Sequence, residues 1–203
     1  MQLMRGFFAR DTLLVARNLL GQRLVRTHPS AGGGRGGRTR VAGRIVEVEA
    51  YVGEEDQASH ARPGRTARNA AMYGPPGHAY VYLIYGMYHC FNVVTEQAGF
   101  PAAILVRALE PLEGLEVMRA RREGRSDVEL TSGPGRLCEA LSIDRQLNGA
   151  DLCARDAVLF VEADEPVADR DVAVGPRINV RGDETALRAP WRFTVRGNRY
   201  VSY

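Results

Sequence analysis

Hydrophobic residues recur along the chain with two different spacings, and each spacing predicts a type of secondary structure. After Asp11, a typical N-cap residue, leucines and alanines recur at helical spacing until Gly21, which predicts a helix. A short strand is expected from Arg23 to Arg26. The glycine-rich, basic stretch from His28 to Arg40 predicts a flexible loop within the domain, with a role in binding phosphate as the alternative.

A regular alternation begins at Val41 and predicts a strand whose two faces differ in chemistry. One face carries only apolar side chains, which are Val46, Val48, Ala50 and Val52. The opposite face carries Ile45, Glu47, Glu49 and Tyr51. We therefore expect the first face to lie in the core and the second face to present two carboxylates and a phenol ring.

The next segments predict a loop and then a β-hairpin. The loop carries one histidine and three arginines, which are His60, Arg62, Arg65 and Arg68. Two runs of strand-forming residues follow it, and the dipeptide Tyr85-Gly86 separates them. This pattern is typical of a hairpin, and it places an aromatic side chain at or near the tip.

Strands and helices are interspersed in the second half of the chain. An apolar strand is expected around Arg107, a helix beginning at Pro111, and a second helix beginning at residues 132–135. Short strands alternate with turns from about Asp156. The whole pattern predicts an α+β fold, in which residues 1–203 form one domain around a curved, mainly antiparallel sheet with surrounding helices and a protruding hairpin.

The composition narrows the possible chemistry because the chain has no lysine. All 27 side chains counted as lysine or arginine are arginine. A lysine Schiff base, a pyridoxal phosphate enzyme and a phosphate loop of the Walker type are therefore excluded. The 203 residues, 45% of them hydrophobic, suffice for one domain with a substantial core. The net charge is only +3, but residues 1–44 hold nine arginines and one acid, so the basic character is local.

The cysteines and histidines give no sign of a metal site. Cys90, Cys138 and Cys153 are far apart and form no C-x-x-C pair, and His60 has no metal partner at ligand spacing. We expect reduced thiols in a cytoplasmic protein, with no metal and no organic cofactor. No signal peptide and no apolar stretch of membrane-spanning length is apparent, so no membrane association is expected.

Arg107 stands inside an apolar run, where a guanidinium needs an anionic partner. By strand position, the nearest candidates are Glu47 and Glu49. A carboxylate that an arginine holds ionised can accept a proton from water, which is general-base chemistry. A buried salt bridge without a catalytic role is the alternative.

Six of the eight tyrosines lie between residues 51 and 88, namely Tyr51, Tyr73, Tyr80, Tyr82, Tyr85 and Tyr88. Several tyrosines near a carboxylate favour a flat-walled pocket for a planar ring, and an ordinary tyrosine-rich sheet is the alternative. A tyrosine at a hairpin tip is either an interface contact or a wedge between bases. Asn92 shares a strand face with Tyr88, where its amide can read a base edge or serve as a hydrogen-bonded core residue. Residues 132–136 expose backbone N–H groups at a helix start, which suits a phosphate.

Five segments together closely resemble the 3-methyladenine (alkyladenine) DNA glycosylase family. They are GRIVEVEAYVGEEDQASHARPGRTARN, GPPGHAYVYLIYGMYHCFNVVT, AAILVRALEPLEG, TSGPGRLCEAL and PWRFTVRG, in this order from about Gly6 to Ser202. The resemblance implies a monomer of mixed α+β fold that inserts a β-hairpin into the minor groove of double-stranded DNA. It implies that a damaged purine is flipped into an aromatic pocket, in a cytoplasmic enzyme that is nucleoid-associated if bacterial.

The resemblance also implies roles for individual residues. Glu49 corresponds to the general base that activates water for attack on C1′, and Arg107 to the arginine that holds this water and the carboxylate. Tyr51 is similar to the residue that stacks on one face of the base. Tyr82 and His60 correspond to residues on the other face, and the backbone at His60 can hydrogen-bond the purine edge.

Further implied roles concern the hairpin and the DNA contacts. Tyr85 resembles the wedge that fills the vacated stack, and Asn92 the gate that clashes with the 2-amino group of normal guanine. Additional DNA contacts are expected from Arg62, Met87, Tyr88, Ser132, Gly133 and Arg136. The implied reaction is hydrolysis of the N-glycosidic bond of alkylated or deaminated purines, without lyase activity because no lysine is present. The glycine-rich loop has no clear counterpart in the family.

Two other classes of function remain open on the residues alone. A non-catalytic nucleic-acid binding domain can use tyrosines to stack unpaired bases, although Glu49 would repel phosphate. A small-molecule hydrolase would account for Glu49 and Arg107 but leaves Tyr85 at the hairpin tip unexplained. Formation of an abasic site in damaged DNA separates these classes.

Overall fold

The structure, a computed structural model, describes residues 1–29 and 38–202. Five α-helices occur in these residues: α1 (Arg5–Phe8), α2 (Thr12–Leu19), α3 (Leu115–Arg121), α4 (Pro134–Leu141) and α5 (Glu184–Arg188). The strands are β1 (Arg23–Pro29), β2 (Arg38–Val52), β3 (Ala79–Ile84), β4 (Tyr88–Val94), β5 (Ala102–Glu113), β6 (Leu159–Glu162), β7 (Val172–Gly175) and β8 (Arg192–Val195). The predicted α+β class is confirmed, as are the short strands expected after Asp156. Helix α5 was not predicted.

All described strands belong to one antiparallel sheet that is built around β2. The strand order is β3-β4-β5-β2-β1-β6, and β8 pairs with both β2 and β7. Strand β2 pairs with β5 along one edge and with β1 and then β8 along the other. The segment of β2 that contains Glu47 and Glu49 therefore has a strand on both sides, and its backbone is held firmly.

The hairpin formed by β1 and β2 corrects the extent of the predicted glycine-rich loop. His28 and Pro29 belong to β1, and Arg38 begins β2 opposite Pro29. The strand predicted from Arg23 to Arg26 extends to Pro29 because β2 continues to supply hydrogen-bond partners along this length. The rest of the predicted loop, residues 30–37, lies outside the described residues.

Register shifts between β2 and β5 change the predicted facing of side chains. The ladder shifts on both sides of Glu47, which leaves Val46 unpaired on β2 and Arg107 unpaired on β5. Such β-bulges interrupt the alternation of faces and redirect side chains. Ile45 therefore packs in the main core with Val48, whereas Val46 belongs to a smaller cluster. The prediction that Val46 shares a face with Val48, with Ile45 opposite, was wrong.

The helices follow the predicted pattern with one correction. Helix α2 begins after Asp11, whose side chain accepts a hydrogen bond from the N–H of Leu14. Helix α4 buries the predicted inward residues Leu137, Ala140 and Leu141. Pro111 was predicted to open a helix, but it lies in β5, and α3 begins at Leu115. Gly114 has a φ of 74°, and this left-handed residue ends the strand and turns the chain into α3.

The core lies between the sheet and the helices. Helix α2 packs on β2, and helix α4 packs on β4 and β5. The hairpin of β3 and β4 joins the sheet through the pairing of β4 with β5, and its tip residues, 85–88, are exposed. The fold thus holds β2, β4 and β5 rigidly side by side and leaves one end of the hairpin free to contact a partner.

Candidate active site

A cleft of about 1310 Å³ collects most of the residues predicted to be functional. It is lined by the end of β2, residues 57–72, the β3–β4 hairpin, β5, the end of α3, the start of α4 and residues 178–181. The predicted residues among its walls are Tyr51, His60, Arg62, Tyr82, Tyr85, Tyr88, Asn92, Arg107, Ser132, Gly133 and Arg136. Two predicted residues, Glu49 and Met87, do not line it.

Glu49 lies directly behind the cleft wall, and its side chain is 0% exposed. Its Oε2 accepts hydrogen bonds from the Tyr51 hydroxyl at 2.9 Å and from Arg107 at 3.2 Å, while Oε1 accepts from the backbone N–H of Ile178 at 2.6 Å. All three donor residues line the cleft, so each of these hydrogen bonds joins the carboxylate to a group of the cleft wall. A carboxylate has about four acceptor positions, and these donors fill three of them.

Arg107 links Glu49 to a second buried carboxylate. Its Nε donates to Oε1 of Glu47 at 3.0 Å. Glu47 also accepts from Nε of Arg192 at 2.7 Å and from the N–H of Ser202 at 2.6 Å. Burial works against the charge of Arg107, but the two carboxylates outweigh it and raise the pKa of this guanidinium. The prediction that Arg107 pairs with Glu47 and Glu49 is confirmed.

Tyr51 joins the buried carboxylate to the cleft. Burial, and then the charge and hydrogen bond of Glu49, raise the pKa of Tyr51 well above 10, so its hydroxyl stays protonated and donates. The guanidinium carbon of Arg177 lies 4.8 Å from the centroid of the Tyr51 ring and 4.8 Å from that of Trp191. Arg177 also forms a two-point ion pair with Asp56, at 2.6 and 2.8 Å.

His60, Tyr80 and Tyr82 form an aromatic wall of the cleft. His60 Nδ1 lies 2.9 Å from the Tyr80 hydroxyl, and its ring meets the Tyr82 ring edge to face at 4.5 Å. Burial, and then the charge of Arg68, lower the pKa of His60, so the ring is neutral at neutral pH. Burial likewise raises the pKa of Tyr80 to about 12. The wall therefore presents uncharged rings.

Asn92 lies on β4 with its side chain buried and anchored. Its Nδ2 donates to the carbonyl of Tyr80 at 3.0 Å, and the residue lines the cleft. The interpretation as a hydrogen-bonded core residue is confirmed, and the reading of a base edge stays a prediction. These contacts fix the orientation of the amide at the cleft wall.

The tip of the hairpin is open to solvent, as predicted. Tyr85, Met87 and Tyr88 are 80%, 65% and 48% exposed. Tyr85 and Gly86 have φ values of 53° and 72°, the left-handed pair that a tight hairpin turn requires. Met87 lies beside a smaller groove between the hairpin and α4, outside the main cleft.

The start of α4 offers fewer free backbone donors than the sequence suggested. The N–H of Gly133 donates to the carbonyl of Thr131 at 3.0 Å, and Pro134 has no N–H. The side chain of Arg136 folds back and donates to Oγ of Ser132 at 3.0 Å. Any phosphate at this position would therefore meet the Arg136 guanidinium rather than the Gly133 amide.

The lining of the cleft is strongly basic. Its charged side chains are eight arginines and three glutamates: Arg62, Arg68, Arg107, Arg121, Arg122, Arg125, Arg136, Arg181, Glu123, Glu129 and Glu139. Since Arg107 is neutralised by buried carboxylates, the excess positive charge lies on the more exposed walls. A low total charge thus coexists with a locally basic surface suited to a polyanion.

Several residues that form the site were not predicted from the sequence. Asp56 and Arg177 are fully buried at their side chains, and they are joined across 121 positions of sequence. Arg177 stands in a largely apolar run, which is the signal that singled out Arg107. The backbone donors of Ile178 and Ser202 left no signal, because a main-chain contact does not depend on the type of side chain.

The described part of the chain contains no group of three or more residues that could hold a metal ion. Cys90, Cys138 and Cys153 carry free thiols, and burial raises the pKa of each. No helix in residues 1–29 and 38–202 has the length and apolarity needed to cross a membrane.

Comparison with known proteins gives consistent matches over the whole chain. The family model described as methylpurine-DNA glycosylase matches residues 6–199. A protein of Methanocella arvoryzae is 55% identical over 200 residues, which cover 98% of this chain and 94% of that protein. Proteins of Carboxydothermus hydrogenoformans and Bacillus cereus strain G9842 are each 46% identical, over 100% of this chain and 99% of their own. All three bear the name "putative 3-methyladenine DNA glycosylase".

Proposed function

This chain belongs to the methylpurine-DNA glycosylase family, and we propose that it flips alkylated or deaminated purines out of double-stranded DNA and hydrolyses their N-glycosidic bond with a water activated by Glu49. Membership confirms the resemblance inferred from the sequence. It makes the chain a DNA glycosylase of base excision repair, a hydrolase acting on N-glycosyl bonds. The proposed substrates are 3-methyladenine, 7-methylguanine, hypoxanthine and ethenoadenine.

The observation that carries the proposal is the hydrogen bond from Tyr51 to Glu49. Tyr51 lines the cleft and also contacts the buried Glu49 carboxylate. A base that stacks on the Tyr51 ring therefore brings its sugar close to Glu49. Arg107 and Ile178 also line the cleft and donate a hydrogen bond to Glu49. A domain that only stacked bases would gain nothing from a buried carboxylate at this position, because burying it is costly.

The proposed reaction replaces the bond between C1′ and the base nitrogen by a bond between C1′ and the water oxygen, and it moves one proton from the water to Glu49. A water at the remaining acceptor position of Glu49 transfers a proton to the carboxylate as its oxygen attacks C1′. The electron pair of the bond between C1′ and the base nitrogen leaves with the base. A cationic purine leaves as the neutral base, a neutral purine leaves as an anion that takes up a proton from solvent, and both leave an abasic site. Arg107 and the N–H of Ile178 hold the carboxylate in the orientation that this attack needs.

The aromatic rings that line the cleft account for the preference for alkylated purines in this proposal. 3-Methyladenine and 7-methylguanine are cationic, so a ring such as Tyr51 attracts them beyond ordinary stacking. A cationic base also leaves as a neutral molecule. Hypoxanthine and ethenoadenine are neutral and poorer leaving groups, and we expect the enzyme to release them more slowly.

Access to the base requires local opening of the duplex. Flipping costs a few kcal/mol, and the cost is smaller for a damaged or mispaired base. Tyr85, at the exposed tip of the hairpin, is the proposed wedge that fills the vacated position. Arginines at the cleft rim, such as Arg62 and Arg136, would contact phosphates, so binding should weaken as salt concentration rises.

We also propose that the enzyme acts as a monomer and is monofunctional. A lyase reaction of the usual kind proceeds through an imine with a lysine side chain, and the sequence has none. Water is then the proposed nucleophile, and the abasic strand should remain uncut after the base has left.

The test is a panel of duplex oligonucleotides, each with one of the four proposed lesions or none. Released base is measured by chromatography, and strand integrity is measured with and without alkaline treatment, which cleaves abasic sites. The proposal expects base release with strands that break only after alkali. Binding without base release would favour a non-catalytic domain, and strand breaks without alkali would contradict monofunctional action.

A further inference from the structure

A buried ion pair lies behind Tyr51, on elements distant in sequence. The side chains of Asp56 and Arg177 are both 0% exposed, and they form two hydrogen bonds of 2.6 and 2.8 Å. No other ion pair among the described residues has both side chains fully buried. Full burial of two charges is costly, so the pair calls for a specific role.

The guanidinium of Arg177 is enclosed by two aromatic rings. It lies 4.8 Å from the ring centroids of both Tyr51 and Trp191. Stacking of this kind fixes the plane of the Tyr51 ring, because two hydrogen bonds to Asp56 hold the guanidinium itself in place. The Tyr51 ring is therefore backed by a rigid support rather than by mobile aliphatic side chains.

The same pair joins three segments of the site. Arg177 donates to the carbonyl of Ala50 at 3.0 Å, which lies between Glu49 and Tyr51. Asp56 accepts from the N–H of Ala58 at 3.0 Å, at the start of the loop that carries His60. The residue after Arg177 donates its N–H to Glu49. A shift of the pair would move the ring, the loop and the donor to the carboxylate together.

We propose that Asp56 and Arg177 form a positioning unit that sets the plane of the Tyr51 ring and the orientation of the Glu49 carboxylate; this inference rests on the proposed function. The carboxylate of Asp56 has a second effect. It neutralises Arg177, so that a cationic base on the free face of Tyr51 meets no net positive charge behind the ring. Asp56 is therefore also a determinant of selectivity between cationic and neutral lesions.

The test uses the full chain with Asp56→Asn, Arg177→Met and the double variant. Single-turnover rates of base release are measured on duplexes with 7-methylguanine, which is cationic, and with hypoxanthine, which is neutral. Stability is measured by thermal unfolding. The control is the partly exposed ion pair of Arg23 and Asp164, 2.7 Å apart and outside the cleft lining, treated with Asp164→Asn and Arg23→Met.

The expected results separate positioning from simple stabilisation. Each single variant leaves one buried charge unpaired and should lower the unfolding temperature, whereas the double variant removes both charges and should recover stability. Its rate should nevertheless stay at least tenfold below wild type on both substrates. Asp56→Asn alone should reduce release of 7-methylguanine about tenfold more than release of hypoxanthine. In this variant no carboxylate neutralises Arg177, so its charge repels a cationic base on the other face of Tyr51.

Tryptophan fluorescence tests whether Arg177 stacks on its aromatic neighbours in solution. Trp191 is the only tryptophan in the chain, so its fluorescence reports on the guanidinium beside it. Arg177→Met should change this emission, and the control variant Arg23→Met should not. Unchanged emission in Arg177→Met would show that the stack does not form in solution and would overturn the proposal.

The proposal is also overturned if the double variant regains the wild-type rate together with its stability, or if the control variants lose as much activity. If the single variants do not fold, the double variant alone decides between these outcomes. Failure of the proposed function is distinguishable, because in that case the wild-type protein itself releases no base from either duplex.

Discussion

Replacing Tyr85 by alanine removes the side chain at the tip of the hairpin and tests the proposed wedge. The side chain is 80% exposed, so its loss should change the free energy of unfolding by no more than about 0.5 kcal/mol. The backbone at this position has a φ of 53°, and alanine tolerates this conformation no better and no worse than tyrosine does. The folded hairpin should therefore be retained.

The effect should appear only when DNA is bound. Stacking of a base on an aromatic side chain is worth about 1–3 kcal/mol, which corresponds to a loss of roughly 5-fold to 150-fold in the population of flipped base. We expect single-turnover excision from a duplex, and affinity for a duplex with an abasic-site analogue, to fall within this range. Single-stranded substrate needs no wedge, so its excision should change much less.

Two variants serve as controls for this experiment. Tyr85→Phe keeps the ring and should behave like the wild-type protein, because the hydroxyl has no hydrogen bond that the proposed role requires. Met87→Ala removes another exposed side chain of the same turn, 65% exposed, and should have a smaller effect. The wedge role is refuted if Tyr85→Ala keeps duplex excision and affinity within about twofold of wild type, or if single-stranded substrate is affected equally.

Two further predictions concern selectivity and pH. Asn92→Ala should raise the ratio of guanine release to hypoxanthine release. The lost hydrogen bond to Tyr80 should lower the free energy of unfolding by about 1–2 kcal/mol. An unchanged ratio in parallel assays would contradict the role of Asn92 as a gate against guanine. Burial, and then the charges of Arg121 and Arg26, lower the pKa of His28 from 6.5 to about 4. Between these two pH values the unfolded chain binds more protons than the folded chain does. Acidification from pH 6.5 towards 4 therefore destabilises the fold. Urea unfolding at pH 7 and 5 should show a smaller loss for His28→Gln than for wild type, and equal losses would disprove this contribution.

Local sequence patterns predicted those parts of the fold that depend on local interactions. The N-cap at Asp11 and the turn at Tyr85-Gly86 are set by neighbouring residues, and both were predicted correctly. Arg107 was linked to Glu47 and Glu49 because a buried arginine must find an anion. These inferences used only spacing and the cost of burying charge.

The errors arose where distant pairing decides the structure. The bulge at Val46 depends on how β2 pairs with β5, and alternation in β2 alone cannot reveal it. Pro111 is compatible with a helix start, but pairing with β2 places it in a strand instead. The contact of Asp56 with Arg177 spans 121 positions, and no local pattern joins the two residues.

The most direct test of the central claim compares Glu49→Gln with Glu47→Gln. Both carboxylates are 0% exposed, both bind Arg107, and they lie two residues apart on one strand. Each change removes one buried charge with little change of shape, so circular dichroism and thermal unfolding should show comparable effects on the fold. The two variants differ in the proposed chemistry, because only Glu49 contacts Tyr51 and is the proposed base.

The measurement is the single-turnover rate of hypoxanthine release from duplex DNA. Removal of a general base typically costs 10²-fold to 10⁴-fold, so Glu49→Gln should fall at least about 100-fold below wild type. Glu47→Gln should remain within about tenfold of wild type at a temperature where it is folded. A wild-type rate for Glu49→Gln, or equal losses in the two variants, would contradict the assignment of Glu49 as the base that activates water.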